Sequence, residues 1–168
     1  MSLKGKSAIV TGGNTGIGKA IVLALAEQGA NVCIDYVANE QATEELEKRI
    51  VGLGDQAIGV DADVSKIADL QMMIDETVKA FGRLDVMVNN AGVTRDATMR
   101  TMTEEQFDEV IDIHLKGCWN GTRLAGAMMR ERKSGSRARE ARGRSRRRTA
   151  SLICSPLMCS PTRSSRRS

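Results

Sequence analysis

Aromatic side chains are scarce in this chain of 168 residues, which holds two phenylalanines, one tryptophan and one tyrosine, Tyr36. No aromatic residue follows Trp119, so the C-terminal part offers no platform on which single-stranded nucleic acid could stack. The chain has one histidine, and its four cysteines show no Cys-x-x-Cys spacing. These residues do not form a zinc-type ligand set, and no metal site is expected.

Long apolar runs are also missing. The longest hydrophobic stretches contain only a few residues, whereas a membrane-spanning helix needs about 20. The N-terminal segment Met-Ser-Leu-Lys-Gly-Lys has no apolar core of the kind that a signal peptide requires. Unpaired cysteines are typical of a reducing compartment. We therefore expect a cytoplasmic protein without a membrane partner.

Charge divides the chain into two parts. Residues 1–133 carry 15 basic and 20 acidic side chains, whereas residues 134–168 carry 10 arginines, no lysine and one acid. The second part also holds nine serines and both prolines. We expect a folded domain over 1–133 and an Arg/Ser-rich tail over 134–168 that is disordered, because it has too few apolar residues to form a core. A reading-frame shift in the coding DNA would produce such a change, and translating the other two frames would test this hypothesis.

Within residues 1–133, strand and helix patterns alternate. Short apolar runs predict strands at 7–11, 32–34, 57–60 and 84–88. Apolar residues at helical spacing predict helices from Ile17 to a stop at Gly29, from about 41 to 53, and from 67 to 81. A fourth helix is marked by the sequence Thr103-Glu-Glu-Gln106, a capping box, and continues as an apolar stripe through Leu115.

Strands separated by helices of this length predict an α/β fold, a Rossmann-like doubly wound parallel sheet. The expected strand order is 3-2-1-4, with the fold truncated after the fourth strand and its helix. The strand at 84–88 would then be an open apolar edge, and an open edge invites pairing between chains. We therefore expect this chain to aggregate or to pack incompletely.

A glycine-rich turn joins the first strand to the first helix. Gly12 permits the tight turn, Gly16 lets the backbone approach a pyrophosphate, and Gly18 lets the helix pack on the strand. The free N–H groups at a helix N-terminus attract phosphate. Asp35 ends the second strand, where an acid typically accepts a hydrogen bond from the adenosine ribose. The pattern predicts a dinucleotide site, and an ordinary glycine-rich turn is the alternative interpretation.

Together these motifs resemble the short-chain dehydrogenase/reductase family over residues 3 to about 133. The segment from Thr11 to Gly18 has the family's glycine spacing, Asn89-Asn-Ala-Gly92 follows the fourth strand as its second motif, and Asp63-Val64 matches its adenine-contacting pair. Residues 92–96 look like 3-oxoacyl-acyl-carrier-protein reductases, whereas residues 81–90 look like glucose 1-dehydrogenases. Both branches remain open.

The resemblance implies a set of cofactor contacts. The pyrophosphate and nicotinamide ribose would meet Gly12, Asn14, Thr15, Gly16, Ile17 and Gly18. The adenosine ribose would meet Asp35 or Tyr36, the adenine Asp63 and Val64, and the inner ribose Asn90, Ala91 and Gly92. NAD is the expected cofactor and NADP the alternative, because the Asp35 charge would repel a 2′-phosphate. The family also implies a small carbonyl or alcohol substrate and a homo-oligomer.

The family's catalytic residues are missing from this sequence. Family members use a Tyr-x-x-x-Lys pair, a serine and a relay asparagine, and an acid/base group must have a pKa near the working pH. Here the one tyrosine, Tyr36, is followed four residues later by Glu40, and His114 stands at the asparagine position. We interpret His114 as a packed side chain and expect an NAD(P)-dependent oxidoreductase fold without turnover. The alternative is a non-catalytic nucleotide-binding protein whose tail binds a polyanion, nucleic acid being the less favoured partner.

Overall fold

The computed structural model describes residues 2–137 and 151–154. Five parallel strands form one sheet in the order β3-β2-β1-β4-β5. The strands are β1 Lys6–Val10, β2 Ala30–Tyr36, β3 Ala57–Asp61, β4 Val86–Asn89 and β5 Ser151–Cys154. The helices are α1 Gly16–Glu27, α2 Glu40–Gly52, α3 Ile67–Phe81, α4 Glu104–Ile111 and α5 Cys118–Arg137. In the part of the chain that is described, none of the helices is long and apolar enough to span a membrane.

Alternate strand residues bury their side chains on opposite faces of the sheet. On one face, Ile9 lies in register with Cys33 and Met87 and packs against α3 and α5. On the other face, Val10 lies in register with Ile34 and packs against α1 and α2. Helices therefore cover both faces, as a parallel sheet requires. The predicted Rossmann-like doubly wound fold is confirmed.

The four predicted strands agree with β1 to β4 to within two residues at each end. The predicted capping box also forms at the start of α4. The Gln106 backbone N–H donates to Thr103 Oγ1 at 3.3 Å, and the Thr103 N–H donates to Gln106 Oε1 at 3.1 Å. These two bonds satisfy backbone groups that have no partner within the helix.

Beyond the four predicted strands and the helical run that follows β4, the described residues form one more short strand. The sheet continues with β5, in which Ile153 lies in register with Val88 of β4, so β4 is not the open edge that the sequence suggested. The helix α5 also continues to Arg137, four residues past the predicted end of the folded domain at 133. The remaining predicted tail, 138–150 and 155–168, lies outside the described residues.

Between α4 and α5 the helical run passes through a π-helical segment, Asp112–Gly117. The apolar stripe predicted for this run is only partly covered. Phe107 is 54% exposed and Leu115 64%, whereas Val110 and Ile111 are half-buried. The stripe therefore includes residues on the surface of the described chain as well as residues that are partly covered.

Candidate functional site

The turn after β1 adopts conformations that favour glycine. Gly12 has a φ of +59° and Gly16 a φ of +50°, both in the left-handed region. A Cβ atom on Gly16 would meet no atom within 4 Å, whereas one on Gly18 would lie 2.0 Å from the Gly12 carbonyl oxygen. Gly16 therefore borders open space at the start of α1, and Gly18 is required by the close contact between helix and turn.

The end of β2 is hydrogen-bonded to this turn. The Gly13 N–H donates to the Asp35 carbonyl oxygen at 2.8 Å, and the Gly12 N–H donates to Asp35 Oδ2 at 3.0 Å. Asp35 is only 1% exposed. Its carboxyl is therefore shielded from solvent beside the turn, whereas the neighbouring Tyr36 is half-buried.

This placement favours Tyr36 over Asp35 as the residue that would meet the adenosine ribose. It also weakens the charge argument for NAD over NADP, because that argument assumes an accessible Asp35 carboxylate. Burial also raises the pKa of Asp35 to about 7. The Gly12 hydrogen bond acts in the opposite direction, while the charges of Asp61, Asp63 and Asp69 raise the pKa further.

A threonine that the sequence reading did not include among the site residues joins the turn to the segment after β4. Thr11 Oγ1 accepts hydrogen bonds from the N–H groups of Asn90 at 2.8 Å and Ala91 at 3.0 Å. In return, Asn90 Nδ2 donates to the carbonyl oxygens of Thr11 at 2.9 Å and Gly12 at 3.2 Å. The position of Thr11 directly before Gly12 is the signal that could have identified it.

Asn14 and its neighbours form the outer side of the turn. The Asn14 side chain is buried and donates to the carbonyl oxygens of Ala38 at 2.7 Å and Asn39 at 3.2 Å. It therefore ties the turn to the loop between β2 and α2. Thr15 and Ile17, on either side of Gly16, are exposed at the start of α1.

The residues predicted to contact adenine follow β3. Asp63 Oδ1 accepts from Ser65 Oγ at 2.7 Å and from the Ser65 N–H at 3.0 Å. The hydroxyl bond from Ser65 is the main cause that holds the pKa of Asp63 below its usual value. Val64 is buried and packs against Gly117, where an added Cβ would lie 3.1 Å from Val64 Cγ2. Asp63 is thus half-buried and charged, and the Val64 side chain belongs to the core.

The second motif, after β4, is held by α5 and the π-helical segment. Asn89 is buried and donates from Nδ2 to Thr122 Oγ1 at 3.2 Å, in agreement with a structural role. His114 Nε2 lies 2.8 Å from the carbonyl oxygen and 3.0 Å from the N–H of Val93. A Cβ on Gly92 would lie 2.6 Å from His114 Cε1. The imidazole therefore packs against the backbone of this motif.

The predicted site residues all lie at or just beyond the carboxyl ends of β1 to β4. In a doubly wound sheet, ligands bind at this edge, between two adjacent strands whose following connections run to opposite sides of the sheet. Here these strands are β1 and β4, and the hydrogen bonds of Thr11 join the segments that follow them. Among the described residues no group of three or more His, Cys, Asp or Glu side chains could hold a metal ion.

This fold and this turn define a Rossmann-type domain with a nucleotide-binding edge. The model of the short chain dehydrogenase family matches residues 6–136. The chain therefore belongs to the short-chain dehydrogenase/reductase family of oxidoreductases.

Two relatives show how much of the family's length is present. A Mycobacterium bovis protein described as an uncharacterized oxidoreductase is 55% identical over 134 residues, which cover 80% of this chain and 53% of the relative. The 3-oxoacyl-[acyl-carrier-protein] reductase FabG of Staphylococcus aureus is 41% identical over 131 residues, 78% of this chain and 53% of that enzyme. The chain thus spans about half the length of the curated relatives it matches.

Solved structures give the same coverage. A short-chain dehydrogenase from Burkholderia cenocepacia in complex with NADP is 33% identical, with a TM-score of 0.74 over 76% of this chain and 52% of its own. A short-chain dehydrogenase from Mycobacterium avium is 33% identical, with a TM-score of 0.76 over 81% of this chain and 51% of its own.

Proposed function

We propose that this chain is the cofactor-binding part of an NAD(P)-dependent oxidoreductase that transfers hydride between a carbonyl compound and an alcohol. The observation that carries the proposal is the glycine-rich turn. Gly16 opens onto free space at the N-terminus of α1, while its neighbours Gly12 and Gly18 are held in close contact. A diphosphate can approach this backbone and accept hydrogen bonds from the first N–H groups of the helix.

Other residues at the same edge extend the proposed site. Tyr36 would border the adenosine ribose, and Asp63 would accept from the adenine. The backbone of Asn90 to Gly92 would border the nicotinamide ribose, since Thr11 fixes that segment beside the turn. A bound dinucleotide would donate or accept the hydride, and the residues of this chain would orient it. Both NAD and NADP remain candidates, because the Asp35 charge that would select between them is buried.

We infer that the chain alone does not turn over substrate. Its 168 residues contain no Tyr-x-x-x-Lys sequence, and no lysine follows Lys133. Loss of general acid/base catalysis typically lowers a rate by about 10²–10⁴. The alternative polyanion-binding function concerns residues 138–150 and 155–168, which lie outside the described part. The homo-oligomer that the family implies stays a prediction, which sedimentation would test.

Binding is tested by titrating the protein into NADH and into NADPH and following nicotinamide fluorescence. We expect saturable binding that is lost in Gly16→Asp, because this carboxylate would occupy the diphosphate position and repel it. The matched control is Gly5→Asp. Gly5 also has a positive φ, of +72°, and its Cβ would also meet nothing within 4 Å, but it precedes β1 at the opposite edge of the sheet. Equal loss in both variants, or no binding of either dinucleotide by the unmodified chain, would contradict the proposal.

The substrate class and the missing turnover need a separate assay. The similarity to a 3-oxoacyl-[acyl-carrier-protein] reductase makes 3-oxoacyl thioesters the first class to test, and glucose oxidation is the second. We expect no oxidation of NADH or NADPH above background with this chain. Turnover that disappears in Gly16→Asp would show that the chain is itself an active enzyme.

A further inference from the structure

One carboxyl at the site is buried without the partners that a buried charge needs. Asp35 Oδ2 accepts one hydrogen bond, from the Gly12 N–H at 3.0 Å, and Oδ1 has no hydrogen-bond partner among the described residues. An ionised carboxylate in a buried position is costly unless several donors or a cation compensate it. The geometry around Asp35 therefore favours the neutral carboxylic acid more than a surface position would.

The groups around Asp35 add to this preference. Asp61 at the end of β3, Asp63 after it and Asp69 on α3 all act on Asp35 as negative charges, and Cys33 lies on its own strand. Lys66, on the segment between β3 and α3, is paired with Asp63 at 3.4 Å. The main cause, burial, together with these acids raises the pKa of Asp35 to about 7 although the Gly12 bond lowers it.

We propose that Asp35 is a proton-coupled positioning residue: when a dinucleotide binds at the glycine-rich turn, the buried carboxyl of Asp35 takes up a proton from solvent in those molecules in which it is ionised. This inference rests on the proposed function. The carboxyl supports the turn through Gly12, the residue that starts the diphosphate-binding segment. The neutral form gives this support without placing a negative charge under the diphosphate.

The direction of the coupling follows from charge. A diphosphate carries two negative charges near neutral pH, and like charges nearby favour the protonated form of a carboxyl. Dinucleotide affinity should therefore fall as the pH rises through the pKa of free Asp35, which lies at about 7. If the bound form stays fully protonated, linkage predicts that the dissociation constant rises about tenfold between pH 6 and pH 8.

Isothermal titration calorimetry with NADH measures the proton directly. Binding is followed at pH 7 in two buffers with different ionisation enthalpies, because the difference in heat gives the number of protons exchanged. We expect an uptake of about half a proton, since half of the free Asp35 is ionised at that pH. NADH is the right probe because the 2′-phosphate of NADPH, like other phosphomonoesters, titrates near pH 6 and would add its own protons.

Two variants separate Asp35 from other groups. Asp35→Asn keeps an oxygen that can accept from the Gly12 N–H but cannot titrate, so we expect binding without proton uptake and with a dissociation constant that does not change between pH 6 and pH 8. The control Asp108→Asn removes an exposed carboxylate on α4 and should leave the uptake unchanged. If Asp35 had only a structural role, Asp35→Asn would not change the number of protons taken up when NADH binds.

The possible failures are distinct. Uptake near zero in the unmodified chain, or equal uptake in Asp35→Asn, would overturn the role of Asp35 while NADH still binds. If Asp35→Asn does not fold, the two-buffer measurement on the unmodified chain still tests the proposal, because uptake near zero would overturn it. Absence of NADH binding at every pH would overturn the proposed function, and this inference with it.

Discussion

Replacement of Gly18 by alanine tests the contact on which the nucleotide-binding turn depends. The new Cβ would lie 2.0 Å from the Gly12 carbonyl oxygen, 2.9 Å from its carbon and 2.7 Å from Asn90 Nδ2. Gly12 contributes backbone atoms, which cannot rotate away as the end of a long side chain can. The helix α1 must therefore move relative to the turn, or the turn must open.

The size of the effect follows from overpacking and helix propensity. Overpacking a well-packed site costs about 1–3 kcal/mol, and a backbone clash belongs at the upper end of that range. Alanine gains at most about 1 kcal/mol over glycine within a helix. We expect the free energy of unfolding to fall by about 2 kcal/mol, which lowers the melting temperature by roughly 4–8 °C for a chain of this size.

Urea unfolding followed by circular dichroism measures this change, and Gly126→Ala is the matched control. Gly126 lies within α5, and a Cβ there would meet no atom within 4 Å, so this variant should be about 1 kcal/mol more stable than the unmodified chain. NADH affinity should fall in Gly18→Ala and stay constant in Gly126→Ala. Unchanged stability and unchanged NADH affinity in Gly18→Ala would refute the argument from the close contact of turn and helix.

Three further changes have defined outcomes. Thr11→Val removes the hydroxyl that accepts two backbone N–H groups after β4 and should cost about 1–3 kcal/mol in unfolding free energy, as measured in urea. Burial alone would raise the pKa of Asp85, but hydrogen bonds, chiefly from Arg83, lower it overall. Asp85 therefore stabilises the fold above its unfolded pKa, and the stability difference to Asp85→Asn should vanish as the pH falls through the lowered value. His114→Asn should be at least as stable as the unmodified chain in thermal unfolding, because an amide can both donate to and accept from Val93, whereas His114→Leu should lose stability.

The parts of the fold that the sequence predicts are those with local periodicity. The strands β1 to β4 contain apolar runs, and α3 repeats Leu70, Ile74 and Val78 on one face, so hydrophobic spacing alone places these elements. The helix start at Thr103 is equally local, because a capping box joins residues three positions apart. Family motifs then place the glycine-rich turn at the correct edge of the sheet.

The other features of the fold depend on contacts between residues far apart in the sequence, and local patterns do not predict them. The strand β5 has only four residues, of which Leu152 and Ile153 are strongly apolar. Two adjacent apolar residues in a polar sequence do not make the alternating pattern that predicts a strand. Only its register with β4 identifies it as part of the sheet. In the same way, the exposure of Phe107 and Leu115 depends on which elements cover α4 and the π-helical segment after it, and spacing along a helix does not contain that information.

The site residues divide into two groups that the motif alone does not separate. Thr11, Asn14, Asp35 and Asn90 use their side chains to bind backbone atoms of neighbouring loops, whereas Gly16 borders open space. Each of these side chains spends at least one polar atom on the scaffold, so a main part of its contribution to binding is to fix the turn. Ordering a loop before the ligand arrives lowers the entropy cost of binding. We therefore expect substitutions in the first group to weaken dinucleotide affinity together with stability. Gly16→Asp should weaken affinity through its charge, and its stability should fall only by the cost that a φ of +50° imposes on a residue other than glycine.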